Sequence, residues 1–407
     1  APDASRGAWL PGFDAVVSAC RGSQALAERQ SERHGYYEEV EPLLDVLCAA
    51  FASDVLKRLV PCDGGFSPDG LVASGKVPPI HERLLQSLCN VLEEDGVLEP
   101  AVDGLRWVPE AGLPDPQSVW LSLLGDYPDH AAEIMLAGRA GLHLHGVLTG
   151  EHDPAARTPR VCESNTFAQF VGGSPTLRRI DRTIGTLVDD ALARRPNQAR
   201  VRVLVLSICQ SRVAAAVVGR ANFAHCDVVL GTGDADALVM LEELIDHHPA
   251  AEAYHVDLED PPSRWGLGKS APFDLIVLGS VLNEFADPQE SLAELRQLAG
   301  PGGMLAVVEQ RPSRWADLVF GLDPAWWHSA ERSAGLLTVS TPQQVIDCLN
   351  SAGCRNTALL ADQPDGESGP YIVLADPAAE IEIPPVARHH RHYLLVHDHA
   401  GYSAAMA

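Results

Sequence analysis

No run in this sequence approaches the roughly 20 consecutive apolar residues that a membrane helix needs. The opening segment APDASRGAWLPG also lacks a basic stretch followed by an apolar one, so neither a membrane span nor a secretory leader is expected. Positive charge is scarce: 30 Lys and Arg stand against 55 Asp and Glu, a net charge of −25. Affinity for a phosphate backbone comes from counterion release by clustered cations, so nucleic acid is not an expected partner. The nine cysteines include no CxxC pair, and several lie inside apolar runs such as Leu47-Cys48-Ala49 and Leu88-Cys89-Asn90. This pattern reads as buried free thiols in a reducing cytoplasm, not as a disulfide framework or a zinc site.

What is present suffices for two or three folded units, since 407 residues can supply each with its own core. Residues 1–30 are mixed and rich in Gly, Ser and Ala, and read as an incoming linker. From Tyr36 to Leu59 apolar residues (Val40, Leu43, Leu44, Leu47, Phe51, Val55, Leu59) recur at helical spacing. HERLLQSLCNVLEE (81–94) reads as a helix stopped by Asp95-Gly96, and VLEPAVDGLRWV as a hairpin turning at Asp103-Gly104. Together they outline a winged helix, which in so acidic a chain is expected to act as a packing or lid module. Helical patterning returns at 129–148 and 176–195, so 31–195 is predicted to be a helical lid and connector.

From Asn197 the texture changes. VRVLVLSI (201–208), CDVVLG (226–231), AYHVDL (253–258), FDLIVLG (273–279) and GMLAVVE (303–309) are apolar throughout, and helical stretches such as 235–247 and 288–298 separate them. Strands without polar alternation are buried on both faces, which predicts a doubly wound, mostly parallel α/β domain over 196–376. The Pro-rich IEIPPVARHH then leads into RHYLLVHDHAGYSAAMA, so 377–407 reads as a linker and the start of a neighbouring subdomain.

The run FDLIVLGSVLNEFADPQESLAELRQLAGPGGMLAVVEQRPSRWADLVFGLDPAWW (273–327) resembles the C-terminal half of the C-methyltransferase domain of a modular polyketide synthase. In that family an Asp-bearing strand, a VLH turn, a helix, a PGG turn and an LLE strand precede an SRW…FGL…WW segment. HERLLQSLCNVLEEDGVLEP is similar to the family's lid, and DYPDHAAEIMLAGRAGLHLHGVLTGEHDP to its connector. The tail RHYLLVHDHAGYSAAMA is similar to the opening strand of a ketoreductase structural subdomain. The resemblance implies a Rossmann-like class I methyltransferase core with a mainly helical lid. It implies S-adenosylmethionine (SAM) as methyl donor, and as acceptor the α-carbon of a β-ketoacyl chain on the phosphopantetheine arm of an acyl carrier protein. Dehydratase and ketoreductase domains would be neighbours. Such chemistry needs a cradle for the cofactor, a base for the α-proton and a group that orients the base.

Each of these departs from the family pattern. The cofactor turn E-x-G-x-G-x-G is matched by Val205, Ser207, Cys209 and Ser211 in VLSICQSRV, so the acid and all three glycines are replaced. Side chains there crowd the close approach of backbone to cofactor and disfavour positive φ. The ribose-binding acid falls on Thr232, with Asp234 two residues on as a possible substitute; Asp257 matches the adenine-contacting acid. The catalytic His of N-V-L-H is replaced in Ser280-Val281-Leu282-Asn283, and an amide cannot take and release a proton near neutral pH. Glu309 matches the acid that orients the missing His; Glu284 is a candidate replacement base, against a capping role at a helix start.

Three readings stay open. The domain is a pseudo-C-methyltransferase kept for architecture, with no cofactor expected; or an active SAM-dependent enzyme using Asp234, Asp257 and Glu284; or a repurposed domain that binds acyl chains or the carrier protein. Other signals read blandly. Gly231-Thr232-Gly233-Asp234 is a common post-strand Gly pair. His389, His390, His392, His397 and His399 would face different directions along a linker and strand, so no metal is expected. Cys209 has no adjacent His to activate it.

Overall fold

The computed structural model describes residues 12–30, 36–61, 64–109, 111–154, 165–194, 199–207, 212–267, 272–327, 340–361, 368–377, 393–395 and 404–406. Residues Phe13–Gln30, read from the sequence as part of a linker, form helix α1. Its Val16, Val17 and Cys20 are buried against the central sheet's helical cover. Three apolar residues on one helix face are enough to dock it, and a mixed composition hides them.

The lid begins with a π-helical turn, Tyr36–Val40, that runs into α2 (Glu41–Leu59). Then follow α3 (Pro68–Ala73), α4 (Glu82–Glu94), the hairpin β1 (Leu98–Ala101) and β2 (Gly104–Trp107), α5 (Pro116–Asp126), α6 (Ala131–Leu148) and α7 (Asn165–Gly173). The register Ala101↔Gly104 leaves Val102-Asp103 as a two-residue turn. Gly104 sits at φ +117 with the Phe66 carbonyl where a Cβ would go, so only glycine fits. On α4, Leu84, Leu85, Leu88 and Leu92 line one side and meet Leu47, Phe51 and Val55 of α2 in a single apolar cluster.

Helix α8 (Pro175–Arg194) leads into a seven-stranded sheet. Its strands are β3 (Val201–Ser207), β4 (Cys226–Thr232), β5 (Ala251–His255), β6 (Phe273–Gly279), β7 (Ala299–Gln310), β8 (Thr357–Ala361) and β9 (Pro370–Ala375). The order is β5-β4-β3-β6-β7-β9-β8, parallel except for β9, which runs against β7 and β8. Alternation along β3 shows why the run is apolar throughout: Val201, Val203 and Val205 enter one core, Leu204 and Leu206 the other. The first face is covered by α1, α8 and α9 (Arg212–Val218), with Leu241 of α10 (Ala235–Ile245) at its edge. The second is covered by α11 (Pro288–Leu298) and α13 (Pro342–Ser351).

Helix starts are fixed by side-chain caps: Asp234 on α10, Asp287 before Pro288 on α11, Ser313 on α12 (Arg314–Phe320), and a capping box from Thr341 and Gln344 on α13.

The structure differs from the sequence reading in four further places. The third strand is Ala251–His255, not 253–258, because Val256 and Leu258 turn into the second core once pairing with β4 ends. Strands β8 and β9 were not anticipated. Helix α8, read as connector, belongs to the sheet's cover, whereas α12, inside the predicted core domain, buries Trp315, Leu318 and Val319 in the lid's cluster. In the tail, where the following strand was expected to have no partner of its own, Tyr393–Leu395 pairs with Ala404–Met406. The described cysteines are free, and five of the six, Cys20, Cys48, Cys89, Cys226 and Cys354, are buried. Among the described residues no helix is long and apolar enough to cross a membrane.

Candidate functional site

Ligands of open α/β sheets bind beyond the carboxyl ends of the parallel strands, and both groups of sequence-marked residues that the structure describes lie there. The first group sits where β6 ends. Ser280 leaves the strand at φ +53, a left-handed conformation rare for a residue with a Cβ, and its N–H donates to the Val308 carbonyl (3.0 Å). A 3₁₀ turn, Leu282–Glu284, follows, anchored by the fully buried Val281 and Leu282. Asn283 is turned inward at 6 % exposure, whereas Glu284 faces solvent.

The register Gly279↔Val308 brings Glu309 on β7 level with that turn. Glu309 is 3 % exposed and accepts a hydrogen bond from the Leu282 backbone N–H, while its Oε1 has no hydrogen-bond partner. Burial pushes its pKa up to about 8, so the carboxyl is held largely protonated at neutral pH. Two residues that sequence reasoning missed complete this end. Tyr371 stands opposite Glu309 in the β7–β9 ladder and donates its hydroxyl to the Ser340 carbonyl. The Arg311 guanidinium lies 5.4 Å from the Tyr371 ring centre and donates to the Ser368 carbonyl at 2.8 Å. A lone Arg two residues past Glu309 was the available signal; Tyr371 had none, because β9 was not recognised.

The second group lies at or near the ends of β3, β4 and β5. Val205 is buried within β3, between Leu230 of β4 and Val277 of β6. Ser207 ends the strand and is buried, and Cys209 and Ser211 lie outside the described residues. Thr232 is fully buried and its Oγ1 accepts from the Asp234 N–H (3.2 Å). Asp234 Oδ1 accepts from the N–H groups of Asp236 (2.7 Å) and Ala237 (3.0 Å), capping α10. Asp257 is exposed; its Oδ1 accepts from Glu259 N–H (3.0 Å), and its carbonyl from the Trp265 indole (2.7 Å). No cluster of three or more potential metal ligands occurs among the described residues, and the five histidines of 389–399 lie outside them.

A sheet of this order with one reversed strand and a ligand edge at β3, β4 and β6 defines a Rossmann-like class I methyltransferase fold, capped here by a helical lid. Within that class the fold is that of the carbon methyltransferase domains of polyketide synthases. The CurJ carbon methyltransferase superposes with a TM-score of 0.74 at 23 % identity, over 89 % of this chain and 99 % of that one. The CMeT domain of the citrinin polyketide synthase gives 0.75 at 17 % identity, over 91 % and 99 %. In sequence the chain is similar to the non-reducing polyketide synthase ausA of Aspergillus calidoustus, 23 % identical over 323 residues, 77 % of this chain. It is likewise 23 % identical over 300 residues, 72 % of this chain, to the non-reducing polyketide synthase Preu3 of Preussia isomera. The chain spans only 13 % and 12 % of the length of these two relatives. No protein-family model matches it.

Proposed function

We propose that the chain is a methyltransferase-fold domain of a polyketide synthase that has lost α-carbon methyl transfer and is retained for architecture, between dehydratase and ketoreductase regions and within reach of the acyl carrier protein. The observation that carries this reading is Asn283. It occupies the buried turn position beside Glu309 where the chemistry needs a base, and an amide has no proton to exchange near neutrality. Glu309, with no imidazole to orient, is a buried neutral acid.

The cofactor side supports the same reading, because the residues present do not fit SAM. A ribose is held by an acid whose oxygens are free to accept its hydroxyls. Here Thr232, at the position of that acid, is a sealed-in hydroxyl that accepts from the Asp234 N–H, Asp234 spends its Oδ1 on capping α10, and Val205 is a core residue. No step is therefore routed through that cofactor.

Calorimetric titration with SAM and S-adenosylhomocysteine, with mass spectrometry of a β-ketoacyl carrier substrate, tests the proposal. Expected are no heat of binding and no added methyl. A dissociation constant in the low micromolar range, about −8 kcal/mol, or a methylated product would overturn it. The solvent-facing Glu284 would then be the base to replace first.

A further inference from the structure

Charge is unevenly placed along this chain. Residues 175–226 hold nine Arg and three Asp, with no Lys or Glu, whereas the chain as a whole stands at −25. From 191 to 226 no acid occurs at all. This basic stretch spans α8, β3 and α9. Because β3 is interior to the sheet, the charges surface on the two helices and near the start of the strand.

Helices α8 and α9 pack side by side over the first face of the sheet. Arg212 Nη2 is 2.7 Å from Asp181 Oδ2 and Arg220 Nη1 is 3.4 Å from Asp189 Oδ2, so two ion pairs span the seam between them. Arg178 and Arg182, one turn apart on α8 and both exposed, share the Asp181 carboxylate with Arg212. The seam therefore carries four arginines against two aspartates. Exposed arginines elsewhere sit on acids of their own, Arg58 on Asp54 at 2.6 Å, Arg106 on Glu99 at 2.8 Å and Arg264 on Asp260 at 2.8 Å. Like charges one turn apart weaken a helix. The cation excess is thus unfavourable in the isolated domain and becomes favourable only against a negative surface.

We propose that the α8–α9 face is the surface on which the acyl carrier protein docks transiently, presenting carboxylates to Arg178, Arg182 and the Asp181–Arg212 pair. The identity of the partner rests on the polyketide synthase reading given above. A second copy of this chain fits poorly. Two basic faces repel one another in a two-fold pair, and a basic face set on the acidic remainder of another copy builds open chains, not a closed oligomer. Nucleic acid fits poorly as well, since α9 is flanked by α10 with its exposed Asp234, Asp236, Glu242 and Glu243, which repel an extended phosphate backbone. A neighbouring domain in the same chain needs no long-range attraction to find its place. A carrier that must reach the domain and leave it again gains from opposite charge, which speeds encounter without demanding tight binding. The position of the face agrees with this. Arg212 opens α9 shortly after the carboxyl end of β3, and Asp181 lies against it, so the face borders the strand ends beyond which ligands of such sheets lie.

Fluorescence anisotropy of a labelled holo acyl carrier protein from the same synthase, titrated with the full chain, reads docking without a methyl donor. Its outcome is therefore separate from that of the methyl-transfer test. Binding is expected to weaken at least about tenfold between roughly 50 and 500 mM salt, as the screening length shortens. Arg178→Glu combined with Arg182→Glu is expected to weaken it at least about tenfold at the lower salt. Arg58→Glu combined with Arg106→Glu makes the same change in net charge on exposed lid arginines and is expected to leave affinity within about twofold. The salt series uses the unsubstituted chain, so it stands whether or not a variant folds. Absence of binding at the lower salt or an affinity insensitive to salt overturns the proposal. So does unchanged affinity in the α8 pair of substitutions, or an equal loss in the lid pair. Displacement of the carrier by duplex DNA or by phosphatidylserine vesicles at matched negative charge also overturns it, because the face would then attract any anion.

Discussion

Trp315, the second residue of α12, donates its indole N–H to the main-chain carbonyl of Glu133 on α6 at 3.0 Å, across a sequence separation of 182 residues. Its ring packs on Phe170 and Phe320, with centroids 5.1 and 5.7 Å away. Because α12 begins four residues after β7 ends, this contact ties the lid's apolar cluster to the strand that carries Glu309. Trp315→Phe keeps most of the burial and removes one of the bonds to a carbonyl that stands within a helix, and is expected to cost about 0.5–1.5 kcal/mol. Trp315→Ala also leaves a cavity, at about 3–5 kcal/mol. Urea unfolding midpoints at constant slope measure both; an unchanged midpoint in Trp315→Phe would show that the hydrogen bond contributes nothing.

Glu309 makes stability depend on pH with a definite sign. Its folded value of about 8 lies above the ordinary carboxyl value of 4.5. The neutral form is therefore favoured in the fold, and its contribution is fully present below pH 4.5. That contribution is lost as pH rises toward 8, by at most about 1.4 kcal/mol per unit. Glu309→Gln keeps the shape and removes this titration, so between pH 5 and 8 its midpoint should fall less steeply than that of the unsubstituted protein. Parallel curves would show that Glu309 does not titrate in this window.

Two left-handed positions carry opposite expectations. Gly369→Ala puts a Cβ both at φ +82 and against the Tyr37 hydroxyl, and is expected to lower stability by about 1–3 kcal/mol. Ser280→Gly relieves a Cβ already held at φ +53 and is expected to raise stability by about 1 kcal/mol or less. Thermal unfolding distinguishes them by the direction of the change in melting temperature.

Restoring the base alone should restore nothing. On the proposed reading, the imidazole of Asn283→His has Glu309 to orient it but no methyl donor beside it. Holding donor and acceptor together accounts for up to roughly 7–11 kcal/mol of such a barrier, against about 10²–10⁴-fold for a general base. Methyl transfer to a β-ketoacyl carrier substrate, read by mass spectrometry, is expected first in a variant that also carries Ser207→Gly, Cys209→Gly and Ser211→Gly. Turnover by Asn283→His alone would place the donor site elsewhere in the chain.

The sequence alone determined what local chemistry enforces. Strands covered on both faces must be apolar throughout, so β3, β4, β6 and β7 were legible as runs. The hairpin was legible from Asp103-Gly104, the lid helices from their periodicity, and the end of β6 from the turn that Asn283 follows. Only the tertiary structure decided which segments belong together. Helix α1 docks through Val16, Val17 and Cys20, too few residues to stand out of a mixed composition, and α12 joins the lid although it follows a core strand. Tyr371 faces Glu309 only because β9 inserts against β7 in reverse. Glu41 meets Ser368 across 327 residues, and the Glu133 carbonyl meets the Trp315 indole across 182. Periodicity reports the face a residue turns inward, whereas the partner it finds there is set by packing between segments far apart in the chain, which no local pattern encodes.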